Sequence, residues 1–168
     1  MKHHFKYTLY VAAVFFTACS PNPKKNEVEQ QHAGIFLRGK KITNDNFTGT
    51  AYLQVMVAPD SLNATSIGNV TFEPGARTKW HSHPGGQILL VTDGVGYYQE
   101  KGAPKKILRK GDSVKCPPNI AHWHGASADT EFVQIAVTNT QNGPTVWLAA
   151  VTDAQYNSPT TNEGKSTR

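Results

Sequence analysis

His81 and His83 flank a single serine in WHSHPGGQ, and Gln87 follows four residues after the second histidine. A second pair, His122 and His124, flanks Trp123. On a strand, residues two apart share a face, so each pair presents two imidazoles to one side. Three inward imidazoles and one amide oxygen could surround a cation. Such ligands suit iron, manganese, nickel, copper or zinc. The alternative is ordinary surface hairpins, since one His-x-His on a strand is weak evidence of a site.

Other residues with chemical side chains have plainer roles. His3 and His4 lie in an N-terminal leader, and His32 lies in a polar tether. Trp80, Trp123 and Trp147 read as core or rim packing. Cys116 reads as a small buried residue, because no histidine or lysine pattern marks it as reactive.

The histidines need a scaffold, and the sequence offers a β one. Thr50–Ala58, Ala64–Glu73, Gln87–Gly94, Val95–Glu100, Lys105–Lys110, Asp112–Cys116 and Glu131–Thr138 are short and rich in β-branched or aromatic residues. Gly, Pro, Asn and Asp punctuate the gaps. The Asp-Gly in VTDGVGYY predicts a hairpin at residues 93 and 94, and KGAPKK predicts a second turn. No sustained helical period precedes residue 145. VTDAQY predicts a short C-terminal helix capped by Thr152 or Asp153. Many short strands without βαβ alternation imply a sandwich or barrel. The chain carries no P-loop, no GxSxG elbow and no paired zinc-type cysteines.

The 168 residues are enough for one domain, and the ends stand apart from it. Lys2 and Lys6 precede a short apolar stretch that ends in small residues before Cys19. This is the pattern of a secretory signal, too short for a span of about 20 residues. FTAC is similar to the lipobox of bacterial lipoproteins, with Phe16 departing from the usual leucine. The expectation is a signal peptide over 1–19 and a lipid anchor on Cys19. That places the protein at the cell envelope, on the periplasmic side or the surface. Residues 20–33 read as a flexible tether, 34–156 as the folded domain and 157–168 as a disordered tail. With Cys19 lipidated, Cys116 has no partner for an internal disulfide. Of the formal charge of +5, two units belong to the leader, and the remaining lysines are scattered. No basic stripe interleaved with aromatics points to nucleic acid.

Gly75, His81, His83, Gln87 and Gly94 resemble the first cupin motif, G-x5-H-x-H-x3-E-x6-G, with Gln87 in place of the glutamate. Gly111, Pro117 and His122 resemble the second, G-x5-P-x-G-x2-H-x3-N, with Asn119 and Ala126 departing from it. The resemblance implies an all-β, double-stranded β-helix (jelly-roll) barrel holding one divalent metal through His81, His83, Gln87 and His122. It also implies a homodimer. VTFEPGARTKWHSHPGGQ, HWHGAS and VTDAQY are similar to small single-domain bacterial cupins that include manganese-dependent hydroxynitrile lyases. That implies Mn2+, with Fe2+, Ni2+ or Zn2+ as alternatives. It implies a small-molecule substrate and (R)-selective cleavage of a cyanohydrin such as mandelonitrile. Another cupin oxygenase or isomerase, or a non-catalytic envelope module binding a metal or small ligand, is the alternative.

Gln87 bears on that choice. A neutral amide leaves a divalent ion its full charge, which strengthens Lewis acidity and disfavours oxidation to a trivalent ion. Gln87 could instead serve as a hydrogen-bonding group that does not coordinate. Thr78 and His124 are expected to face substrate or to support the ligands. Gln134 is expected to line the pocket, at a late-strand position where the lyases carry a histidine.

Overall fold

The computed structural model describes residues 32–160. The leader, Cys19 and most of the tether and tail lie outside these residues. The described chain starts before the expected boundary at 34 and continues past that at 156. No helix among the described residues is long and apolar enough to cross a membrane.

The described strands are β1 (His32–Ala33), β2 (Phe36–Leu37), β3 (Lys40–Lys41), β4 (Phe47–Thr48), β5 (Ala51–Val57), β6 (Thr65–Phe72) and β7 (Arg77–Thr78). They continue with β8 (His81–Ser82), β9 (Gln87–Glu100), β10 (Lys106–Arg109), β11 (Ser113–Cys116), β12 (His122–Ala126), β13 (Phe132–Asn139) and β14 (Val146–Trp147). One short helix, α1 (Asp153–Tyr156), follows. The strands pair antiparallel in two walls that curl around a shared interior. One wall runs β3-β5-β6-β13-β9, with β11 also on β9. The other places β12 against β7, β8 and β9, with β14 on β8 and β10 on β9. This is the expected all-β barrel architecture.

The hairpin expected at Asp93-Gly94 is not formed. Gln87–Glu100 is one continuous strand. Its first half pairs with β11 and β13, and its second half with β10 and β12. The Asp-Gly pair serves as a bend between the two walls. Register with β13 slips between Val133 and Gln134, which marks a bulge beside Thr92. Gly94 takes φ +75°, and a Cβ there would lie 1.8 Å from the Glu131 carbonyl oxygen. Asp-Gly signals a reversal only where the flanking strands pair with each other; here each half has other partners. Gly94→Ala is therefore expected to destabilise the fold by more than about 2 kcal/mol, well above a routine surface change. A denaturant midpoint equal to that of the wild type would contradict this.

The interior is filled by Ala51, Val70, Phe72, Leu89, Val91, Tyr98, Leu108 and Phe132. Cys116 is buried among them, as its type suggests, and burial pushes its thiol pKa up to about 12. A second cluster, Trp80, Trp123, Val151 and Tyr156, packs on the outside of the β12 wall beneath α1. The helix starts as its sequence dictates. Thr152 accepts from Gln155 N, and the Gln155 side chain accepts from Thr152 N, a full capping box. Arg77 fastens the helix by bonding the Val151 carbonyl and the Asp153 carboxylate.

Candidate metal centre

β8, the turn after it and β12 bring three histidines together. His81 and His122 are directly paired across the β8–β12 ladder. His83 follows two residues on, and its backbone accepts from Gly86 N to close the PGG turn. The ring centroids of His81 and His122 lie 4.4 Å apart, those of His81 and His83 5.1 Å, and those of His83 and His122 5.5 Å. One potential ligand atom from each lies within 4.8 Å of the others, and all three side chains are buried.

The hydrogen bonds decide which nitrogen each ring offers. His81 Nδ1 is 2.9 Å from the Lys79 carbonyl, and His122 Nδ1 is 2.9 Å from the Ile120 carbonyl. His83 Nδ1 is 3.2 Å from the Thr145 hydroxyl. A carbonyl only accepts, so Nδ1 of His81 and His122 carries the proton and Nε2 carries the lone pair. Nε2 of His83 and of His122 is enclosed and has no hydrogen-bond partner. Leaving a buried nitrogen unpaired is unfavourable. A cation would supply the missing partner.

Burial keeps the trio neutral. Desolvation lowers the pKa of His81 well below its usual value, with the neighbouring His122 and His83 acting in the same direction. It brings His83 down to about 4, although the adjacent Gln87 amide partly opposes the shift. It also lowers His122, where the Ile120 carbonyl and the Glu100 carboxylate pull the other way. Neutral imidazoles are the form that binds metal. Three of them close together suggest a divalent metal site, and the donor set fits several first-row ions.

Gln87 opens β9 on the same interior. Its Nε2 donates to Thr138 Oγ1 at 2.9 Å, and the Cys116 thiol approaches its Oε1 at 4.0 Å. His124 is buried one strand step beyond His122, with its ring 5.2 Å from that of His81. Its Nδ1 lies 2.9 Å from Gln134 Nε2, so it accepts there and its proton belongs on Nε2. His124 thus has the tautomer opposite to that of His81 and His122. Gln134 is fully buried, pointing inward, and its Oε1 has no partner. Thr78 is also buried, and its hydroxyl accepts from the His124 backbone N–H at 3.2 Å.

Several neighbours carry no sequence signal. Thr138 and Thr145 stand 51 and 62 residues from the side chains they hold. Glu100 pairs with His122 across β9–β12, and its carboxylate accepts from the Tyr98 hydroxyl. Trp147, expected at the core or rim, is 37% exposed and packs its ring 4.9 Å from that of His81, tilted by 36°. Asn119 stands where the second motif has glycine and takes φ +61°, a region that asparagine tolerates better than most residues. A surface cleft of about 610 Å³ lies elsewhere, lined in part by Trp80, Gln99, Lys101, Leu148 and Gln155. None of the histidine trio lines it.

Known proteins fit this picture. The chain is 43% identical over 113 residues to an (R)-mandelonitrile lyase of Granulicella tundricola, covering 67% of this chain and 86% of the relative. A cupin-like protein of Thermotoga maritima superposes with a TM-score of 0.73 at 50% identity, covering 79% of this chain and all of the other. A cupin 2 conserved barrel domain protein of Rhodopseudomonas palustris gives 0.57 at 18% identity over 66% of this chain and 77% of that one, a likeness of fold alone. The Cupin domain model matches residues 68–151. With both histidine pairs inside that span, and most of the strands that carry and surround them, the chain belongs to the cupin domain family.

Proposed function

We propose that this chain is a metal-dependent cupin lyase acting on a small hydroxyl or carbonyl compound. The observation that carries this reading is the buried, neutral histidine trio with ligand atoms within 4.8 Å of one another. Identity of 43% to a mandelonitrile lyase supports the reaction class. In this reading His81, His83 and His122 coordinate through Nε2, and Gln87 coordinates through Oε1. Manganese is favoured, and iron, nickel and zinc suit the same donors. A bound divalent ion would supply Lewis acidity for negative charge developing on a substrate oxygen, undiminished by any anionic ligand.

The protein's own part falls to His124, Gln134 and Thr78. His124 holds a proton on Nε2, the ring atom left over after Gln134 takes Nδ1. Gln134 cannot titrate near neutral pH, but its amide has both a donating and an accepting end. Presenting N–H to Nδ1 keeps the proton on Nε2. Presenting the carbonyl would favour a proton on Nδ1 and leave Nε2 as the base. His124 can then move a proton at Nε2 while Gln134 matches either tautomer. Thr78 fixes the backbone of His124.

The test compares metal-stripped and manganese-loaded protein on (R)-mandelonitrile. Benzaldehyde should form only with the loaded protein. His124→Phe should lower turnover by about a hundredfold, within the range for a lost acid–base group, with metal content unchanged. Loaded wild type that leaves mandelonitrile intact would remove the lyase reading. Oxygen uptake on a phenolic substrate would then favour a cupin oxygenase.

The envelope location, with a lipid on Cys19, belongs to the same proposal and is supported by the leader and its FTAC sequence. A homodimer is also proposed. Val57, Ile88 and Leu90 support it, being exposed apolar residues on the outside of the β5-β6-β13-β9 wall.

A further inference from the structure

The four residues of the centre are not held in the same way. Nδ1 of His81 and of His122 each bonds a carbonyl two residues back in its own chain. Those bonds come with the local backbone and ask nothing of distant side chains. His83 and Gln87 depend on hydroxyls from far along the chain. His83 Nδ1 pairs with Thr145 Oγ1 at 3.2 Å, and Gln87 Nε2 donates to Thr138 Oγ1 at 2.9 Å. Both threonines lie in one short stretch, from the end of β13 to the turn before β14.

We infer that Thr138 and Thr145 are positioning residues for the metal centre, and that Thr138 holds the Gln87 amide so that its carbonyl oxygen is left for the ion. The inference rests on the reading of Gln87 as a ligand. Its physical basis is the asymmetry of an amide. Only the oxygen can coordinate a cation; the NH2 end carries partial positive charge and must be turned away. Turned away inside a barrel, that N–H needs an acceptor, because a buried donor left unpaired is costly. Thr138 provides the acceptor. A glutamate at position 87 would have two equivalent oxygens and no such need. The threonine is therefore required by the substitution that distinguishes this site from the first cupin motif. Thr145 gives the His83 Nδ1 a partner, as the Lys79 and Ile120 carbonyls do for the other two rings, and so orients the ring while its Nε2 is left unpaired.

The experiment measures Mn2+ affinity of the full chain, stripped of metal and titrated against a competing chelator. Thr138→Val should raise the dissociation constant by about 10- to 100-fold, the usual effect of removing a partner that orients a ligand. Thr138→Ser restores the hydroxyl and should stay within about threefold of wild type. The visible spectrum of the Co2+-loaded protein should change in Thr138→Val and not in Thr138→Ser. The double variant carries the sharper test. In a Gln87→Glu background, Thr138→Val should cost less than about threefold, so the two changes are strongly non-additive. Thr145→Val should weaken Mn2+ binding about tenfold by the same assay. That arm stands even if Thr138→Val fails to fold. Wild-type affinity in Thr138→Val, or an equal loss in the Gln87→Glu background, overturns the inference while leaving the metal centre standing. Wild type that binds no ion, or His81→Ala that binds it equally well, overturns the reading of the centre and the inference with it.

Discussion

His122→Ala protein is expected to lose metal affinity by more than about a hundredfold, since merely removing an orienting partner typically costs 10- to 100-fold. His122 is the residue on which the centre turns. It is fully buried, pairs with His81 across the ladder, and its ring lies within 5.5 Å of both other members of the trio. Its Nε2 has no partner inside the protein, so its coordinating atom is committed to nothing else. Metal analysis after dialysis gives the readout, with far-ultraviolet circular dichroism to show that the barrel persists. Mandelonitrile cleavage should disappear with the metal. Full metal content in the variant would show that an ion, if bound, sits elsewhere.

The metal-free protein is expected to lose stability steeply as pH falls from about 6.5, the ordinary histidine value, towards 4. Burial lowers the pKa of His81, His83, His122 and His124 in the folded state, with His83 brought down to about 4. The unfolded chain therefore binds more protons than the folded one across this window. Linkage then makes stability rise with pH there and fall on acidification. Each histidine that titrates only on unfolding contributes about 1.4 kcal/mol per pH unit. Above 6.5 both states are neutral at these rings and the effect vanishes. If manganese is the ion held by the neutral trio, it would bind the folded form alone and should raise the melting temperature near neutral pH. That gain should shrink on acidification as protons compete for the same nitrogens. Melting curves from pH 4.5 to 8, with and without Mn2+, check both statements. A flat metal-free profile would mean that the rings protonate freely in the folded state.

Parts of this architecture could be read from the residues alone, and the reasons are local. The capping box of α1 is written in Thr152 and Gln155, three residues apart. The long strands β5, β6 and β13 lie inside their expected segments, apart from one residue at the end of β13. Alternation and β-branched residues marked them. The histidine trio was legible because its spacing survives within two short motifs. Gln134, expected to line the pocket, is fully buried. What could not be read depends on partners distant in sequence. β4, β7, β8 and β14 are two-residue strands defined only by what lies beside them. Asp93-Gly94 has the chemistry of a tight turn, yet pairing with β10, β12 and β13 carries the strand through it. Thr138, Thr145 and Glu100 have ordinary residue types and no spacing rule that links them to the histidines.

β9 has one more consequence. A straight strand of its 14 residues would put its ends roughly 45 Å apart. Yet Gln87, its first residue, sits beside His83, and Glu100, its last, faces His122. The strand is a clasp, bent at Gly94, with one tip beside His83 and the other facing His122. The spacing of those tips is set by the bend, at a residue that touches none of the ligands. Gly94 is thus a remote adjustment of the centre, through backbone shape alone.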